Sequence, residues 1–179
     1  SSNWTFDNGI ITLNIYYDKI DSTNSEAKNI LLNKNIKKAV IIAEEQTSGK
    51  GRYGNKWISK KGNLYMSLVF QVKSYNHIKL LQFKILKSLK SVISNLLREK
   101  SQIKVKHPND ILIQNRKISG ILIESINCYS KLYAIVGIGV NINNSPSINK
   151  WKTIHLNKLL KIKVKPIEIA KKIRKKIKI

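Results

Sequence analysis

At 179 residues the chain is long enough to bury one core and leaves room for only a small appendage. Its 42% hydrophobic content excludes a disordered chain, no apolar run reaches the roughly 20 residues of a membrane helix, and the start Ser1-Ser2-Asn3-Trp4 lacks a secretory signal. A net charge of +24 invites a nucleic-acid partner, yet 30 of the 34 basic residues are lysine, a compositional bias on solvated faces; the lone Cys128 suits a reducing, cytoplasmic compartment.

Ile10–Tyr17, rich in β-branched and aromatic residues, is expected as a strand. Asp21-Ser22-Thr23 opens a helix, with Thr23 and Glu26 at capping-box spacing and Ala27, Ile30 and Leu31 as the apolar stripe. Ala39–Gln46 reads as a second strand running into a glycine-rich segment, 47–57. The alternation of Leu64, Met66, Leu68 and Phe70 predicts a half-buried strand. Three- and four-residue steps from Ile78 through Leu81, Ile85, Leu89 and Val92 to Leu96 predict a helix over 78–98. Ile103–Lys106, Ile111–Gln114, Lys117–Ile126 and Leu132–Asn143 are strand-like, with Asn115-Arg116 as a two-residue hairpin turn. Consecutive strands with short turns pair antiparallel, so the expected fold is α+β: a mixed, largely antiparallel sheet with helices packed on one face. Residues 151–179 form a basic segment, eleven Lys and Arg against the single acid Glu168. It ends in an amphipathic helix from Pro166 whose Ile169, Ala170, Ile173 and Ile177 are expected to dock on the core.

Gly49-Lys50-Gly51-Arg52-Tyr53-Gly54 matches the dinucleotide-binding G-x-G-x-x-G and follows a strand. That fingerprint needs an apolar helix next and an acidic residue about 20 positions on. Asn55–Gly62 is no apolar helix, no Asp or Glu occurs between Gln46 and Glu99, and a G-x-x-x-x-G-K-[ST] phosphate loop is absent. What remains is a glycine loop carrying Lys50, Arg52 and Lys56 and ending at Trp57. Its glycines admit an anion close to the backbone, the cations offset its charge, and the indole offers a surface to a ligand ring. Asp21-Ser22-Thr23-Asn24, where a strand enters a helix, can hold a small polar head group with side chains and first amides. Lys106-His107-Pro108-Asn109-Asp110 sets a rigid proline beside polar side chains. Lys117–Glu124 starts with a lysine and continues as an apolar run broken by Gly120, and in Gly137–Asn143 two glycines remove side chains where something must approach.

In this order the segments resemble the biotin–protein ligase family. Gln46–Trp57 is similar to the loop usually written GRGRxGRxW, Lys106–Asp110 to K-W-P-N-D, Lys117–Glu124 to K-x-x-G-I-L-x-E, and Gly137–Asn143 to G-x-G-x-N-x-N. The resemblance covers residues 10–145 and implies a class II aminoacyl-tRNA-synthetase-like core, with 1–150 as catalytic domain and the basic segment 151–179 after it. No helix-turn-helix is recognisable before the core, so no DNA binding is expected, and the family's small C-terminal β-barrel is not recognisable after it.

The resemblance implies two half-reactions. Biotin's carboxylate attacks the α-phosphate of ATP, giving biotinyl-5′-AMP and pyrophosphate. A lysine of the biotin carboxyl carrier protein of a biotin-dependent carboxylase then takes the biotinyl group. By the same resemblance Ser22, Thr23, Asn24 and Gln46 meet biotin's ureido ring and its surroundings, while Gly49, Lys50, Gly51, Arg52, Gly120, Gly137 and Lys117 enclose the rest of it. Arg52, Trp57, Asn109, Lys117 and Asn141 face ATP. Catalysis is implied for Lys117, bridging carboxylate and phosphate, for Arg52, and for Asp110, which orients or deprotonates the amine or helps hold Mg²⁺. Two unit anions about 4 Å apart repel by roughly 4 kcal/mol at an effective dielectric near 20, which the cations and Mg²⁺ offset. Three positions depart from the family pattern. Lys50 stands for Arg and loses the bidentate fork, Asn55 for a basic residue, and His107 for tryptophan. The rivals are a lipoate–protein ligase, whose R-R-x-S-G-G-G segment is absent, a basic nucleic-acid-binding domain, and a degenerate inactive ligase. No membrane partner is expected, and a homodimer is left open.

Overall fold

The computed structural model describes residues 1–7, 10–97, 103–147 and 151–178. Among them eight strands form one sheet: β1 (Ser2–Asp7), β2 (Ile10–Ile20), β3 (Lys38–Gln46), β4 (Leu64–Val72), β5 (Ile103–Lys106), β6 (Asp110–Ile113), β7 (Arg116–Cys128) and β8 (Lys131–Val140). Their order across the sheet is β1-β2-β3-β4-β8-β7-β6-β5. Every neighbouring pair is antiparallel except β2 and β3, which run parallel because helix α1 (Thr23–Asn33) carries the chain back between them.

Pleating sends alternate residues of the central strands to opposite sides. Val40, Ile42, Leu64, Met66, Leu68, Ile138 and Val140 meet helices α2 (Tyr75–Leu96) and α4 (Pro166–Ile177) on one side. Ala39, Ile41, Val69, Tyr133 and Ile135 meet Ala27, Ile30 and Leu31 of α1 on the other. The mixed, largely antiparallel sheet is as expected. The helices differ from expectation in one respect: α2 and α4 share a face, while α1 covers the opposite one. β4 is also buried on both faces, not half-buried, because it lies between β3 and β8; Tyr65, Ser67 and Val69 are as inaccessible as Met66 and Leu68 between them.

Local signals shifted by a residue or two. The cap of α1 is Ser22, whose side chain accepts from the Ser25 N–H, not Thr23; Glu26 accepts instead from the Tyr17 hydroxyl at 2.7 Å. The β6–β7 turn is Gln114-Asn115, both at positive φ, one position before the expected pair. Helix α2 ends at Leu96, and position 98 of the predicted helix lies outside the described residues. β8 stops at Val140; the Asn141 N–H still donates to Ile118 O at 2.8 Å, and Asn63 Oδ1 accepts those that follow, of Ile142, Asn143 and Asn144, at 2.8, 3.0 and 3.2 Å. Helix α4 begins at Pro166 and buries Ile169, Ala170 and Ile173 beside α2. Strand β1 and the short helix α3 (Leu156–Leu159) were without a sequence signal. Among the described residues no helix is long and apolar enough to cross a membrane.

Candidate active site

The α1 side of the sheet carries a cavity of about 350 Å³, in the range that holds a small organic ligand. Its floor is made where the central strands lack side chains. A Cβ on Gly137 would come 2.6 Å from Asn24 Oδ1, and one on Gly139 would come 2.5 Å from Trp57 Cε2, so both positions admit only glycine without displacement. Trp57 therefore lies flat on the floor, against Gly139 and Gly120, at the end of the glycine loop.

The start of α1 forms one wall. Gln46 Oε1, at the end of β3, accepts the Thr23 N–H at 2.8 Å, and Gln46 Nε2 donates to Ser59 Oγ at 2.8 Å. The first bond satisfies the opening amide of the helix, which has no partner within the helix, the second fixes the Gln46 amide, and Ser22, Thr23 and Gln46 all line the cavity. Behind them Ser67 of β4 lies 2.7 Å from Thr23 Oγ1 and 2.6 Å from Asn24 Oδ1. The neighbouring Tyr65 hydroxyl donates to the Lys60 carbonyl at 2.6 Å; burial holds it above the ordinary phenol range, so it stays a donor.

The opposite wall comes from β6 and β7. Register shifts between Ile111 and Leu112, so Ile118 is an extra residue on β7. That bulge turns Ile118 into the core on the far face and brings Lys117 to the same side as Gly120. Lys117 Nζ then sits 2.9 Å from Asp110 Oδ1, with 14% and 25% of the two side chains exposed. The ammonium lies 5.0 Å from the Trp57 ring centroid and 5.6 Å from that of Trp151. Two buried polar atoms of residues that line the cavity have no hydrogen-bond partner among the described residues: the donor Trp57 Nε1 and the acceptor Asn141 Oδ1.

The glycine loop roofs the cavity as a small hairpin. Lys50 bridges Lys56, Gly51 N–H donates to Asn55 O at 2.7 Å, and Trp57 N–H to Gly49 O at 2.9 Å. Asn55, a departure from the family's basic residue, closes this hairpin by donating from Nδ2 to Arg52 O at 2.8 Å. The Arg52 guanidinium stacks on Tyr53 at 4.6 Å, and Lys50 Nζ donates to Ser25 Oγ at 2.9 Å. Asn109 lines the cavity, but its Nδ2 donates to Ile121 O at 2.8 Å, tying the Lys106–Asp110 turn to β7.

The structure thus brings Ser22, Thr23, Asn24, Gln46, Lys50, Gly51, Arg52, Trp57, Asn109, Asp110, Lys117, Gly120, Gly137 and Asn141 to one cavity. Gly49 lies just behind it, where a Cβ would meet Trp57 O at 2.3 Å. Two residues were missed. Ser67 sits between the leucines whose alternation announced β4, and a lone hydroxyl in a central strand was its one signal. Trp151 was the only Trp, Tyr or Phe in the basic segment. It reaches the site because residues 152–154 run beside the start of β7, where Lys117 N–H donates to Lys152 O and Ile154 N–H to Lys117 O.

This mixed sheet with its helices is the fold of the class II aminoacyl-tRNA-synthetase-like ligases. The profile of the biotin/lipoate A/B protein ligase family matches residues 16–143, and the chain belongs to that family. It is 33% identical over 135 residues to the bifunctional ligase/repressor BirA of Bacillus subtilis, a match over 74% of this chain and 41% of that protein. The biotin protein ligase of Leishmania major in complex with biotinyl-5-AMP superposes with a TM-score of 0.79 at 26% identity, over 92% of this chain and 73% of that one. The biotin protein ligase of Aquifex aeolicus in complex with biotin and ATP gives 0.76 at 28% identity, over 92% and 68%. The chain thus spans about two fifths of the length of that bacterial relative.

Proposed function

We propose that the protein is an ATP-dependent biotin–protein ligase. The observation that carries this reading is one cavity in which the Lys117–Asp110 pair faces a polar wall built from Thr23 and Gln46 across a glycine floor. The similarity to proteins solved with biotinyl-5-AMP and with biotin and ATP supports it.

In the proposed reaction the head-group wall takes biotin's ureido ring and the floor takes its chain, directing the carboxylate to Lys117. A carboxylate oxygen attacks the α-phosphorus of ATP; the new O–P bond forms as the bond to pyrophosphate breaks. Lys117, Lys50 and Arg52 offset the charge brought together, and Lys117 touches both reacting anions. Trp57 Nε1 and Asn141 Oδ1, a donor and an acceptor left unpaired on residues that line the cavity, are the groups available to adenine once the site rearranges around it. In the second step a carrier lysine attacks the carbonyl carbon, the C–O bond to AMP breaks, and the amine gives up a proton for which Asp110 is the carboxylate at hand. Asp110 is the one carboxylate lining the cavity among the described residues, and no cluster of three or more ligands for a metal occurs among them. Mg²⁺ would therefore be held chiefly by the phosphates, with Asp110 as its protein ligand, and would supply charge neutralisation. The carrier is a biotin carboxyl carrier protein; residues 10–145 hold the machinery, 151–178 add Trp151, and no DNA-binding role is proposed.

The test is an acyl-adenylate assay with purified protein, Mg²⁺ and α-labelled ATP, with biotin and lipoate in separate reactions. Labelled biotinyl-AMP is expected. Lipoyl-AMP alone would move the substrate while keeping the chemistry, and no adenylate with either acid would sink the reading.

A further inference from the structure

Behind the head-group wall, a chain of hydrogen bonds leads in from the protein surface, with donors from both sides converging on Glu124. Lys28 Nζ lies 2.6 Å from Glu124 Oε1, Asn24 Nδ2 donates to Glu124 Oε2 at 2.8 Å, and Asn24 Oδ1 faces Ser67 Oγ at 2.6 Å. Neither Lys28, Glu124 nor Ser67 lines the cavity. Burial works against the Glu124 carboxylate. The hydrogen bonds from Lys28 and Asn24, with the charges of Lys28 and Lys50, outweigh it and hold the group below the usual carboxylate range. At neutral pH it is an acceptor and nothing else.

That restriction propagates. An acceptor at Glu124 requires Asn24 to turn its NH₂ outward and its Oδ1 inward. Oδ1 only accepts, so the single proton of Ser67 is committed to it. Ser67 Oγ, 2.7 Å from Thr23 Oγ1, and Gln46 Oε1, 3.2 Å away, are then both acceptors for the Thr23 proton. The wall accepts from Thr23, and Thr23 turns its lone pairs to the cavity.

We propose that Glu124 is a positioning residue whose carboxylate sets the hydrogen-bond polarity of the wall, so that Thr23 offers an acceptor to a ligand N–H. This rests on the biotin reading above and deepens it: a cyclic urea supplies such an N–H, whereas the dithiolane ring of lipoate has none. Buried polar groups discriminate in this way because the wrong ligand leaves them unpaired.

The polarity account makes a prediction that a mere ion pair does not. In Glu124→Gln, Lys28 still demands an oxygen and takes the glutamine Oε1. The glutamine NH₂ then faces Asn24, the asparagine amide flips at the expense of the 3.5 Å approach of Nδ2 to Leu122 O, and Ser67 donates to Thr23, taking up one of its lone pairs while Gln46 Oε1 accepts the Thr23 proton. In Lys28→Met/Glu124→Gln nothing competes for the glutamine oxygen, which returns to Asn24 and restores the wall. Calorimetric titration with biotin, without ATP, on the wild type, Lys28→Met, Glu124→Gln and the double variant reads this out. Each is kept below its measured thermal midpoint. Lys28→Met is expected to stay within about threefold of wild type and Glu124→Gln to weaken about tenfold or more. The double variant is expected to return to within about threefold of Lys28→Met. Equal losses in both single variants with no recovery in the double, or unchanged binding in Glu124→Gln, would overturn the polarity proposal while leaving the biotin reading intact. A wild type that binds no biotin would overturn both.

Discussion

Lys117 meets a carboxylate, two indoles and a glycine floor within one side chain's reach. Lys117→Ala is expected to lower adenylate formation about 10²-fold or more, the scale seen when one preorganised donor is removed from a developing anion. Removing Lys117 also leaves the largely buried Asp110 without its partner, so the thermal midpoint is measured alongside and the assay run well below it; wild-type rates in the labelled-ATP assay would remove Lys117 from the chemistry. At Gly139 the expectation reverses. In Gly139→Ala the new Cβ meets the Trp57 ring at 2.5 Å, so overpacking should cost about 1–3 kcal/mol by denaturant titration and weaken ATP more than biotin. Glu124 makes a third test. Its folded pKa is depressed, so its contribution is fully present above the unfolded value of 4.5 and is lost as pH falls through the lower folded one. The stability gap between wild type and Glu124→Gln should therefore be full at pH 7 and narrow below about pH 4.5; a constant gap would show that the carboxylate's charge is not its source. Lys117, Asp110, Thr23 and Gln46 were legible because each stands in a spaced motif of unlike residues. Ser67 was not, because it touches the wall only from behind, through Thr23 and Asn24, and such contacts leave no spacing in a sequence.

At the scale of elements, the glycine loop is held to the protein mainly at its base. Gln46, Gly49 and Ser59 anchor its two ends, while Tyr53 at its tip is 86% exposed. Such a segment opens at low energy. Limited proteolysis should cut the free protein within 50–61 and spare it with biotin plus ATP bound; equal cleavage in both states would leave the loop no role in closing the site. The loop and the elements either side were legible from glycine content and β-branched runs. What pattern could not supply was the assignment of faces. β4 and β8 are apolar on both sides, and a continuous apolar run carries no sign saying which side a helix will take. The bulge at Ile118 was equally silent, although without it Lys117 would point away from the site.

At the scale of the molecule, charge and fold separate. The core is assembled by apolar faces meeting α1 on one side and α2 with α4 on the other, and none of this depends on the +24. Lysines on exposed faces should still draw polyanions. DNA retention should therefore fall steeply with salt and be indifferent to sequence, and biotinyl-AMP formation should continue at salt where retention is gone. Binding that persists at high salt or prefers one sequence would make the charge functional. The seam between β4 and β8 bears on a different property. These strands pair from Leu64↔Val140 to Val72↔Leu132, joining distant parts of the chain, and the cavity lining straddles them, with Tyr65 of β4 opposite Gly139 of β8. Closure of so long a loop has to precede any reward from the contacts it makes. A ligand seated on the seam acts as a clasp on the entire chain: it cannot let go of one strand without losing the other. Amide hydrogen exchange in β4 and β8 should therefore slow together on biotin binding, by up to about 2.7 kcal/mol at a hundredfold excess over Kd. Under the proposed function, loss of biotin would leave the protein more easily unfolded as well as idle.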